Sequence, residues 1–265
     1  MLSTRIISAL IFLPFFYLIV WVLPPLYFTL FILAVAAVGL YEFYRMAGIR
    51  GVHPNRVLGI VLGVLLIVDA YYPLNFGIGA FSIAGYLIVI MIARLFSSRP
   101  VDGAFGDIAA TFTGIFYVAL LFAFQIMIRT GVDGKQWLVF LYFIIWASDI
   151  GAYAIGLPFG KHRLYEKISP KKSIEGLLGS LAAAVGMALL CRVWFLPSLG
   201  IQEAIGISLL LAIAGTIGDL AESLLKRSVG VKDSGGLIPG HGGVLDRMDS
   251  ILFAGPVLYY YLALR

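Results

Sequence analysis

Charged residues are scarce in this chain. Of its 265 residues only 12% are charged and 61% are hydrophobic, and the mean hydropathy is +1.00. Soluble domains carry about 25% charged residues. Because the chain lacks the polar surface that a water-facing globule needs, most of its length must have lipid as its solvent. The composition excludes a cytosolic enzyme and a disordered tail, and it predicts an integral membrane protein.

Cysteine and histidine are scarce as well. The single cysteine, Cys191, lies in an apolar run and excludes an intramolecular disulfide, and there are only three histidines. With neither a cysteine cluster nor a histidine pair, no typical zinc site is expected. The formal net charge is +5, but the basic residues lie between apolar stretches and not along one surface. We therefore expect no nucleic-acid partner.

Nine apolar stretches are long enough to be membrane-spanning helices, which need about 20 mostly apolar residues. The sequence therefore predicts an all-α polytopic integral membrane protein with about nine transmembrane helices. With the N-terminus inside, fifteen basic residues fall in cytoplasmic loops and four outside, which is the distribution that the positive-inside rule favours. The predicted spans are 6–23, 26–44, 57–72, 78–96, 107–128, 137–157, 176–195, 203–224 and 248–264.

Acidic residues are concentrated in the second half. Residues 1–100 contain only Glu42 and Asp69, whereas residues 149–249 contain nine acids. We interpret residues 1–106 as N-terminal transmembrane scaffold helices and residues 107–265 as the catalytic region, with cytoplasmic loops at 158–175 and 225–247. No internal repeat of the kind common in transporters is visible.

Four polar residues share one face of the eighth predicted span. Asp219, Glu222, Ser223 and Lys226 follow the spacing i, i+3, i+4 and i+7, which places them on one side of a helix. Carboxylates at membrane depth are costly and usually face a bundle interior or an aqueous cavity. The stripe indicates a functional site, with an internal ion pair to Lys226 that only orders the helix as the alternative.

A glycine-rich segment follows that helix. Six glycines lie between Gly230 and Gly243, together with Lys232, Asp233 and His241. Glycine lets backbone N–H groups approach phosphate oxygens, so a basic glycine-rich loop that enters an acid-bearing helix predicts a nucleotide site. A flexible connector would have the same glycines, and His241 could equally fix the loop by a hydrogen bond.

Three aspartates are the candidate metal ligands: Asp219, Asp246 and Asp249. Carboxylates without cysteine or paired histidine suit a hard ion such as Mg²⁺. Asp246 and Asp249 also begin the last predicted helix, where carboxylates favour the helix dipole without any ligand. Magnesium, phosphates and Lys or Arg side chains together predict phosphoryl or nucleotidyl transfer.

Two features precede the seventh span. Asp149 lies deep in an apolar helix and is a functional candidate, with a buried structural hydrogen bond to a neighbouring helix as the alternative. A basic loop follows, and such segments often only mark topology or attract anionic lipids. The loop contains Lys161-His162-Arg163 and Ser169-Pro170-Lys171-Lys172-Ser173-Ile174-Glu175-Gly176.

Many residues of the C-terminal half match the fixed positions of a single sequence signature. They are Ser223, Lys226, Arg227, Lys232, Asp233, Gly235, Pro239, His241, Gly242, Gly243, Asp246, Arg247 and Asp249. This pattern resembles the signature of the phosphatidate cytidylyltransferases, also called CDP-diacylglycerol synthases, and the resemblance extends to the 169–176 loop and the Asp149 helix. The overall size and the many spans suit a bacterial member.

The resemblance implies the reaction CTP + phosphatidate → CDP-diacylglycerol + pyrophosphate with Mg²⁺, and it leaves a second cation open. It implies a bacterial inner-membrane enzyme whose active site faces the cytoplasm. The implied partners are CTP, phosphatidate and other membrane lipids, and a homo-oligomer is left open. A phosphate monoester has a second pKa of about 6, so phosphatidate is already a nucleophilic dianion and needs no general base.

On this basis we assign roles to the candidate residues. Asp219, Asp246 and Asp249 hold the metal, and Asp149 and Glu222 give polar support. The predicted catalytic residues are Lys226, Arg227, Lys232, Asp233, His241 and Arg247. The predicted substrate-binding residues are Ser169, Lys171, Lys172, Ser173, Glu175, Ser223, Gly242 and Gly243, with the two lysines at the phosphatidate head group.

Two other classes fit the sequence less well. A transporter would place its binding residues near the bilayer midplane in interrupted helices, whereas most of these candidates lie near the predicted cytoplasmic ends. A CDP-alcohol phosphotransferase uses a related substrate, but its motif of Asp-Gly, Ala-Arg, Gly and paired Asp residues is absent. Nucleotidyl transfer to phosphatidate is therefore the expected activity.

Overall fold

The computed structural model describes residues 13–72, 80–236 and 242–265. Within these ranges the chain forms nine helices and one β-hairpin, of strands β1 (Arg163–Tyr165) and β2 (Ser169–Ser173). Helices α1 and α5 each contain a π-helical stretch, Leu18–Val22 and Ile115–Leu120. The helices are α1 (Leu13–Val22), α2 (Pro25–Gly48), α3 (Arg56–Tyr71), α4 (Ala80–Leu95), α5 (Ala104–Thr130), α6 (Gly134–Phe159), α7 (Ile174–Trp194), α8 (Ile201–Ser228) and α9 (Leu245–Leu264).

Five of the described helices, α2, α5, α6, α7 and α8, are long and apolar enough to cross a membrane. The prediction of a helical membrane protein is thus confirmed. The count of nine spans and the inside N-terminus stay predictions, and parts of the spans predicted at 6–23 and 78–96 lie outside the described residues.

The β-hairpin between α6 and α7 was not expected from the sequence. Its strands are antiparallel, with Arg163 opposite Ser173 and Tyr165 opposite Ser169. The segment lacks an apolar helical period and contains Pro170, which disfavours a helix. Its backbone groups therefore pair across a hairpin. The basic loop predicted at 158–175 is consequently an ordered element that can present its lysines in fixed positions.

The chain divides into two compact units. Unit 1 comprises residues 1–130 and 228–247, and unit 2 comprises residues 131–227 and 248–265. The first turn of α9 thus belongs to unit 1 and the rest of that helix to unit 2. The division predicted from the sequence, at residues 106/107, separates a scaffold from a catalytic region. It describes function and not compact units, and it stays a prediction.

Unit 1 packs three helices around one tyrosine. Tyr44 of α2 is completely buried, and its hydroxyl donates to the carbonyl oxygen of Thr111 in α5 at 2.9 Å. Gly59 of α3 and Gly114 of α5 face the ring, and a Cβ on either glycine would collide with it. The two glycines therefore let α3 and α5 approach α2 closely.

A buried acid ties together several chain segments of unit 1. Asp107, in the first turn of α5, accepts hydrogen bonds from the backbone N–H of His53 at 2.7 Å and from Arg94 Nε at 3.0 Å. His53 precedes α3, and Arg94 lies in the last turn of α4. This network brings the ends of three helices together.

Unit 2 is built on the close pair α6 and α7. A Cβ on Gly151 of α6 would lie 2.5 Å from the carbonyl oxygen of Gly179 and from Cβ of Ala183, both on α7. The hydroxyls of Ser148 and Ser180 form a buried hydrogen bond of 2.5 Å between the helices. Small residues at such a contact are typical of membrane helix packing. The pair fixes both ends of the β-hairpin that joins α6 to α7.

Candidate functional site

The glycine loop, defined as residues 228–247, belongs to unit 1. Its N-terminal part is described to Gly236, and the description resumes at Gly242. Gly242 has φ +82°, a left-handed conformation that favours glycine. His241 lies outside the described residues, so its predicted role stays a prediction.

Asp246 closes the glycine loop. Its Oδ2 accepts hydrogen bonds from the Ser234 backbone N–H at 2.9 Å, the Ser234 hydroxyl at 3.0 Å and the Gly243 N–H at 2.7 Å. The carboxylate lies in the first turn of α9, where the helix dipole also favours a negative charge. Asp246, predicted as a metal ligand, thus also folds the loop back onto the start of the helix.

Glu42 of α2 is a second acid at this place, although the sequence pattern assigns it to the scaffold. It is 3% exposed. Its Oε1 accepts from the Val244 N–H at 3.1 Å, and its Oε2 accepts from the Leu245 N–H at 3.1 Å and the Ser234 hydroxyl at 3.2 Å. The carboxylate thereby satisfies backbone N–H groups at the N-terminal end of α9 that have no partner inside the helix.

Two glycines of the loop make room for this buried carboxylate. A Cβ on Gly235 would collide with the Glu42 side chain, and a Cβ on Gly243 would lie 2.6 Å from Glu42 Oε2. Arg45, one turn further along α2, donates to the Ser234 carbonyl oxygen at 3.3 Å. A sequence signal for Glu42 existed, since it is one of two acids in the first hundred residues and lies in an apolar helix.

The polar stripe of α8 lies in unit 2, where Asp219 meets the β-hairpin. Asp219 Oδ2 forms an ion pair of 2.6 Å with Lys172 Nζ from β2, and its Oδ1 accepts from the Ser223 hydroxyl at 3.3 Å. The side chains of the pair remain partly exposed, 34% for Asp219 and 25% for Lys172. The structure therefore joins a predicted lipid-binding lysine to a predicted metal ligand.

The other two residues of the stripe form a buried pair. Lys226 Nζ donates to Glu222 Oε2 at 3.0 Å, with the Glu222 side chain fully buried and that of Lys226 9% exposed. The internal ion pair considered from the sequence thus exists for Glu222, whereas the ion-pair partner of Asp219 comes from the hairpin. Breaking a buried pair by removing one partner is strongly destabilising, which gives Glu222 and Lys226 a structural role, and contact of Lys226 with the CTP phosphates stays a prediction.

Asp249 of α9 lies beside the same stripe. A Cβ on Gly218 of α8 would lie 2.5 Å from the carbonyl oxygen of Asp249, so the two helix backbones touch next to Asp219. The Asp249 carboxylate accepts a hydrogen bond from the Ser250 backbone N–H at 2.7 Å. Asp219 and Asp249, two of the three predicted metal ligands, are therefore neighbours in unit 2.

Two predicted substrate-binding residues hold the ends of the hairpin. Glu175 accepts from the backbone N–H groups of Lys161 at 3.1 Å and His162 at 3.3 Å, and it pairs with His162 Nδ1 at 2.6 Å. The Ser173 hydroxyl accepts from the Gly176 N–H at 3.1 Å and caps α7. These contacts give Glu175 and Ser173 a positioning role, and direct contact with substrate stays a prediction for both.

The remaining predicted residues lie at or near the surface. Arg227 Nε donates to the Ile168 carbonyl oxygen of the hairpin turn at 3.4 Å. On α6, Asp149 is exposed and its predicted role stays a prediction, whereas its neighbour Ser148 forms a buried hydrogen bond to α7. Ser169 is half-buried, and the exposed members of the set are Lys171, Lys232, Asp233 and Arg247.

The donor set can be compared with what the expected metal needs. Across residues 13–72, 80–236 and 242–265, no group of three or more His, Cys, Asp and Glu side chains is arranged to hold a metal ion. Magnesium, however, is commonly bound by one or two carboxylates together with substrate phosphates. The neighbouring carboxylates of Asp219 and Asp249, with Asp219 partly exposed, fit that mode.

Comparisons with known proteins agree with the sequence signature. A profile described as "Cytidylyltransferase family" matches residues 3–265. The phosphatidate cytidylyltransferase of Bacillus subtilis (strain 168) is 33% identical over 265 residues, covering 98% of this chain and 96% of the relative.

Two further relatives give the same result. The phosphatidate cytidylyltransferases of Synechocystis sp. (strain ATCC 27184 / PCC 6803 / Kazusa) and Brucella suis biovar 1 (strain 1330) are 34% and 36% identical. Both alignments cover 99% of this chain, and they cover 97% and 94% of the two relatives. The resemblance seen in the C-terminal half is thus confirmed and extends over nearly the whole sequence. The chain belongs to the cytidylyltransferase family.

Proposed function

We propose that the chain is a membrane-embedded phosphatidate cytidylyltransferase that converts CTP and phosphatidate to CDP-diacylglycerol and pyrophosphate. Family membership along residues 3–265 supports the reaction class, and the substrate is inferred from the relatives, which are phosphatidate cytidylyltransferases. The observation that carries the proposal within the chain is the ion pair between Lys172 and Asp219. It places a cation suited to a phosphate head group beside a carboxylate suited to a metal–nucleotide complex.

The chemistry requires few protein groups. A non-bridging oxygen of the phosphatidate dianion attacks the α-phosphorus of CTP and forms a new P–O bond. The bond between the α-phosphorus and the bridging oxygen to the β-phosphate breaks, and its electron pair leaves with pyrophosphate. No proton must be removed from the nucleophile, so the protein has to align two polyanions and neutralise their charge.

Basic side chains supply that neutralisation. Lys171 and Lys172, on β2, are proposed to bind the phosphatidate head group while the acyl chains stay in the bilayer. The CTP phosphates are assigned to the glycine loop and to the cations at the end of α8 and the start of α9. The cations of these three segments are Lys226, Arg227, Lys232 and Arg247.

The proposed metal ligands are Asp219, Asp246 and Asp249. When bound, Mg²⁺ would neutralise negative charge on the CTP phosphates and on the leaving pyrophosphate. The closeness of Asp249 to α8 at Gly218 and the partial exposure of Asp219 support this assignment for the pair in unit 2. For Asp246 the support is its place in the signature and the carboxylate chemistry of its residue type.

The active site is proposed to face the cytoplasm of a bacterial inner membrane. The support is the distribution of Lys and Arg, fifteen of which fall on one side of the predicted topology and four on the other. The hairpin and the glycine loop, which carry most of the candidate residues, both lie on the basic side of that topology. CTP is a cytoplasmic nucleotide, which agrees with this orientation.

Product analysis tests the proposed function. Purified protein in detergent is incubated with Mg²⁺, phosphatidate and CTP labelled in the cytosine ring, and the lipid and nucleotide products are separated. Formation of CDP-diacylglycerol with one pyrophosphate per lipid is expected. Release of CMP would identify a CDP-alcohol phosphotransferase, and transport of a labelled anion into liposomes without CTP turnover would identify a transporter.

A further inference from the structure

The buried carboxylate of Glu42 contacts the glycine loop and the start of α9. Three donors converge on it: the backbone N–H groups of Val244 and Leu245 and the hydroxyl of Ser234. At 3% exposure, Glu42 has almost no surface with which to contact a substrate. Any effect of Glu42 on the reaction must therefore be indirect, through the backbone and the serine hydroxyl that donate hydrogen bonds to it.

The hydroxyl of Ser234 connects Glu42 to Asp246. It lies 3.2 Å from Glu42 Oε2 and 3.0 Å from Asp246 Oδ2. A hydroxyl has one hydrogen and can donate to only one of these carboxylates at a time. If Asp246 turned its carboxylate towards a cation, the Ser234 hydroxyl would still have an acceptor in Glu42, and the loop would keep one of its anchors.

We propose that Glu42 is a positioning residue for the nucleotide reaction, one that anchors the glycine loop at Ser234, Val244 and Leu245 while Asp246 engages the substrate complex. The role rests on the proposed function for its link to CTP. The anchoring of the loop itself rests only on contacts within unit 1. Arg45 adds to it from the same helix through the Ser234 carbonyl oxygen.

The charge of Glu42 is required as well as its size. A glutamine would offer one acceptor oxygen and would place an NH₂ group where the Val244 N–H points, or where the Leu245 N–H and the Ser234 hydroxyl point. The buried N–H groups of Val244 and Leu245 and the Ser234 hydroxyl would then lack sufficient acceptors, which is costly in a water-free site. Glu42→Gln is therefore a severe test of the anchor with little change in side-chain volume.

The chain provides a matched control in Asp107. Like Glu42, it is a buried acid of unit 1 that accepts from the backbone; its donor is the His53 N–H, and it also pairs with Arg94. Its hydrogen bonds and ion pair go to His53 and Arg94, and none joins it to the described part of the glycine loop, residues 228–236 and 242–247. Asp107→Asn should therefore lower the general stability of unit 1 without loosening the loop.

Hydrogen–deuterium exchange of the purified proteins, without any substrate, measures the anchor directly. Glu42→Gln should speed exchange in peptides that contain Val244 and Leu245 by about tenfold or more, as expected for loss of charge-assisted hydrogen bonds. Asp107→Asn should leave those peptides unchanged. Ser234→Ala, a milder substitution, should speed exchange less than Glu42→Gln, and the double variant should be less than additive because both changes act on one network.

Steady-state kinetics on the same proteins then separates positioning from a general structural role. Glu42→Gln and Ser234→Ala should raise KM for CTP more than KM for phosphatidate, and Asp107→Asn should change the two equally or not at all. Wild-type exchange in the loop of Glu42→Gln, or the same KM pattern in Asp107→Asn, would overturn the inference. Absence of cytidylyl transfer by the wild-type protein would instead refute the proposed function, since the exchange result does not depend on turnover.

Discussion

Two acidic groups of this molecule differ in what neutralises their carboxylates. They are Glu42 with Asp246 in unit 1 and Asp219 with Glu222 in unit 2. In unit 1, Glu42 and Asp246 accept hydrogen bonds from backbone N–H groups and from one serine hydroxyl. In unit 2, Asp219 and Glu222 are paired with lysine ammonium groups. The first arrangement fixes a loop to a helix end. The second balances charges on side chains.

This difference separates two roles that the sequence signature presents together. Backbone N–H groups cannot leave without unfolding the loop, so the carboxylates of unit 1 hold structure even when one of them also binds a ligand. A partly exposed lysine has a long flexible side chain, and its ammonium group can leave the carboxylate and pair with a phosphate instead. Asp219 is thus the carboxylate whose partner can most easily be exchanged for a metal ion.

The largest expected effect belongs to Asp219. Asp219→Asn keeps the volume but removes the negative charge, and turnover should fall by about a hundredfold or more because charge stabilisation at the reacting phosphates is lost. Glu203→Gln is the matched control, since Glu203 lies in the first turn of the same helix in an exposed ion pair with Arg265. The measurement is pyrophosphate release, after size-exclusion in detergent has shown that both variants fold. Near-normal turnover of Asp219→Asn would remove Asp219 from the metal assignment.

Two glycines of one loop provide the next test. A Cβ on Gly243 would meet Glu42 and Gly235, whereas a Cβ on Gly236 would have no neighbouring atom within 4 Å among the described residues. Gly243→Ala should therefore lower kcat/KM for CTP by about tenfold or more, as expected for overpacking beside buried hydrogen bonds. Gly236→Ala should have little effect. Equal damage from both would show that the loop glycines serve close approach to phosphate and not packing against Glu42.

Adjacent lysines of β2 allow a smaller comparison. Lys172 pairs with Asp219, whereas Lys171 is exposed. Lys172→Gln should raise KM for phosphatidate by about tenfold, and Lys171→Gln by about two- to threefold, since an exposed charge contributes less. Both should change KM for CTP less than KM for the lipid. A larger effect on KM for CTP than on KM for phosphatidate in either variant would show that the hairpin binds the nucleotide and not the lipid.

The smallest effect is expected in the test of orientation. Its cysteine substitutions should leave activity unchanged, because the test depends only on whether each cysteine is accessible to a reagent. In a Cys191→Ser background, a cysteine at Lys167 in the hairpin turn should resist an impermeant thiol reagent applied outside intact cells. A cysteine at Val132, which is 90% exposed between α5 and α6 and predicted to lie outside, should react. Reaction at position 167 together with protection at 132 would reverse the topology.

The sequence predicted the helical membrane architecture and the reaction class well, because both depend on local signals. Apolar stretches of spanning length and a dense C-terminal signature can be recognised without any contact information. The spacing of Asp219, Glu222 and Lys226 on one helix face likewise follows from the period of the helix. These features required no knowledge of which segments meet in space.

Contacts between distant segments were not predictable in the same way. The pairing of Lys172 with Asp219 and that of Glu42 with Ser234 join residues far apart in the sequence, and no periodicity reports such contacts. The hairpin was missed because three- and five-residue polar strands carry no apolar alternation. An acid inside an apolar helix is costly and therefore indicates a functional role. On that ground Asp149 is a candidate in the sequence, and Glu42 would have been identified as a candidate in the same way.

A magnesium titration on two variants tests the separation of the two acidic groups most directly. Pyrophosphate release is measured against Mg²⁺ concentration for wild type, Asp219→Asn and Glu42→Gln, with CTP and phosphatidate saturating for each protein. We expect Asp219→Asn to raise the half-saturating Mg²⁺ concentration by about tenfold or more, because the variant lacks a proposed metal ligand. Glu42→Gln should leave that concentration within about twofold of wild type, because the Glu42 carboxylate holds the loop through hydrogen bonds. An unchanged magnesium requirement in Asp219→Asn, or an equal increase in both variants, would contradict the separation.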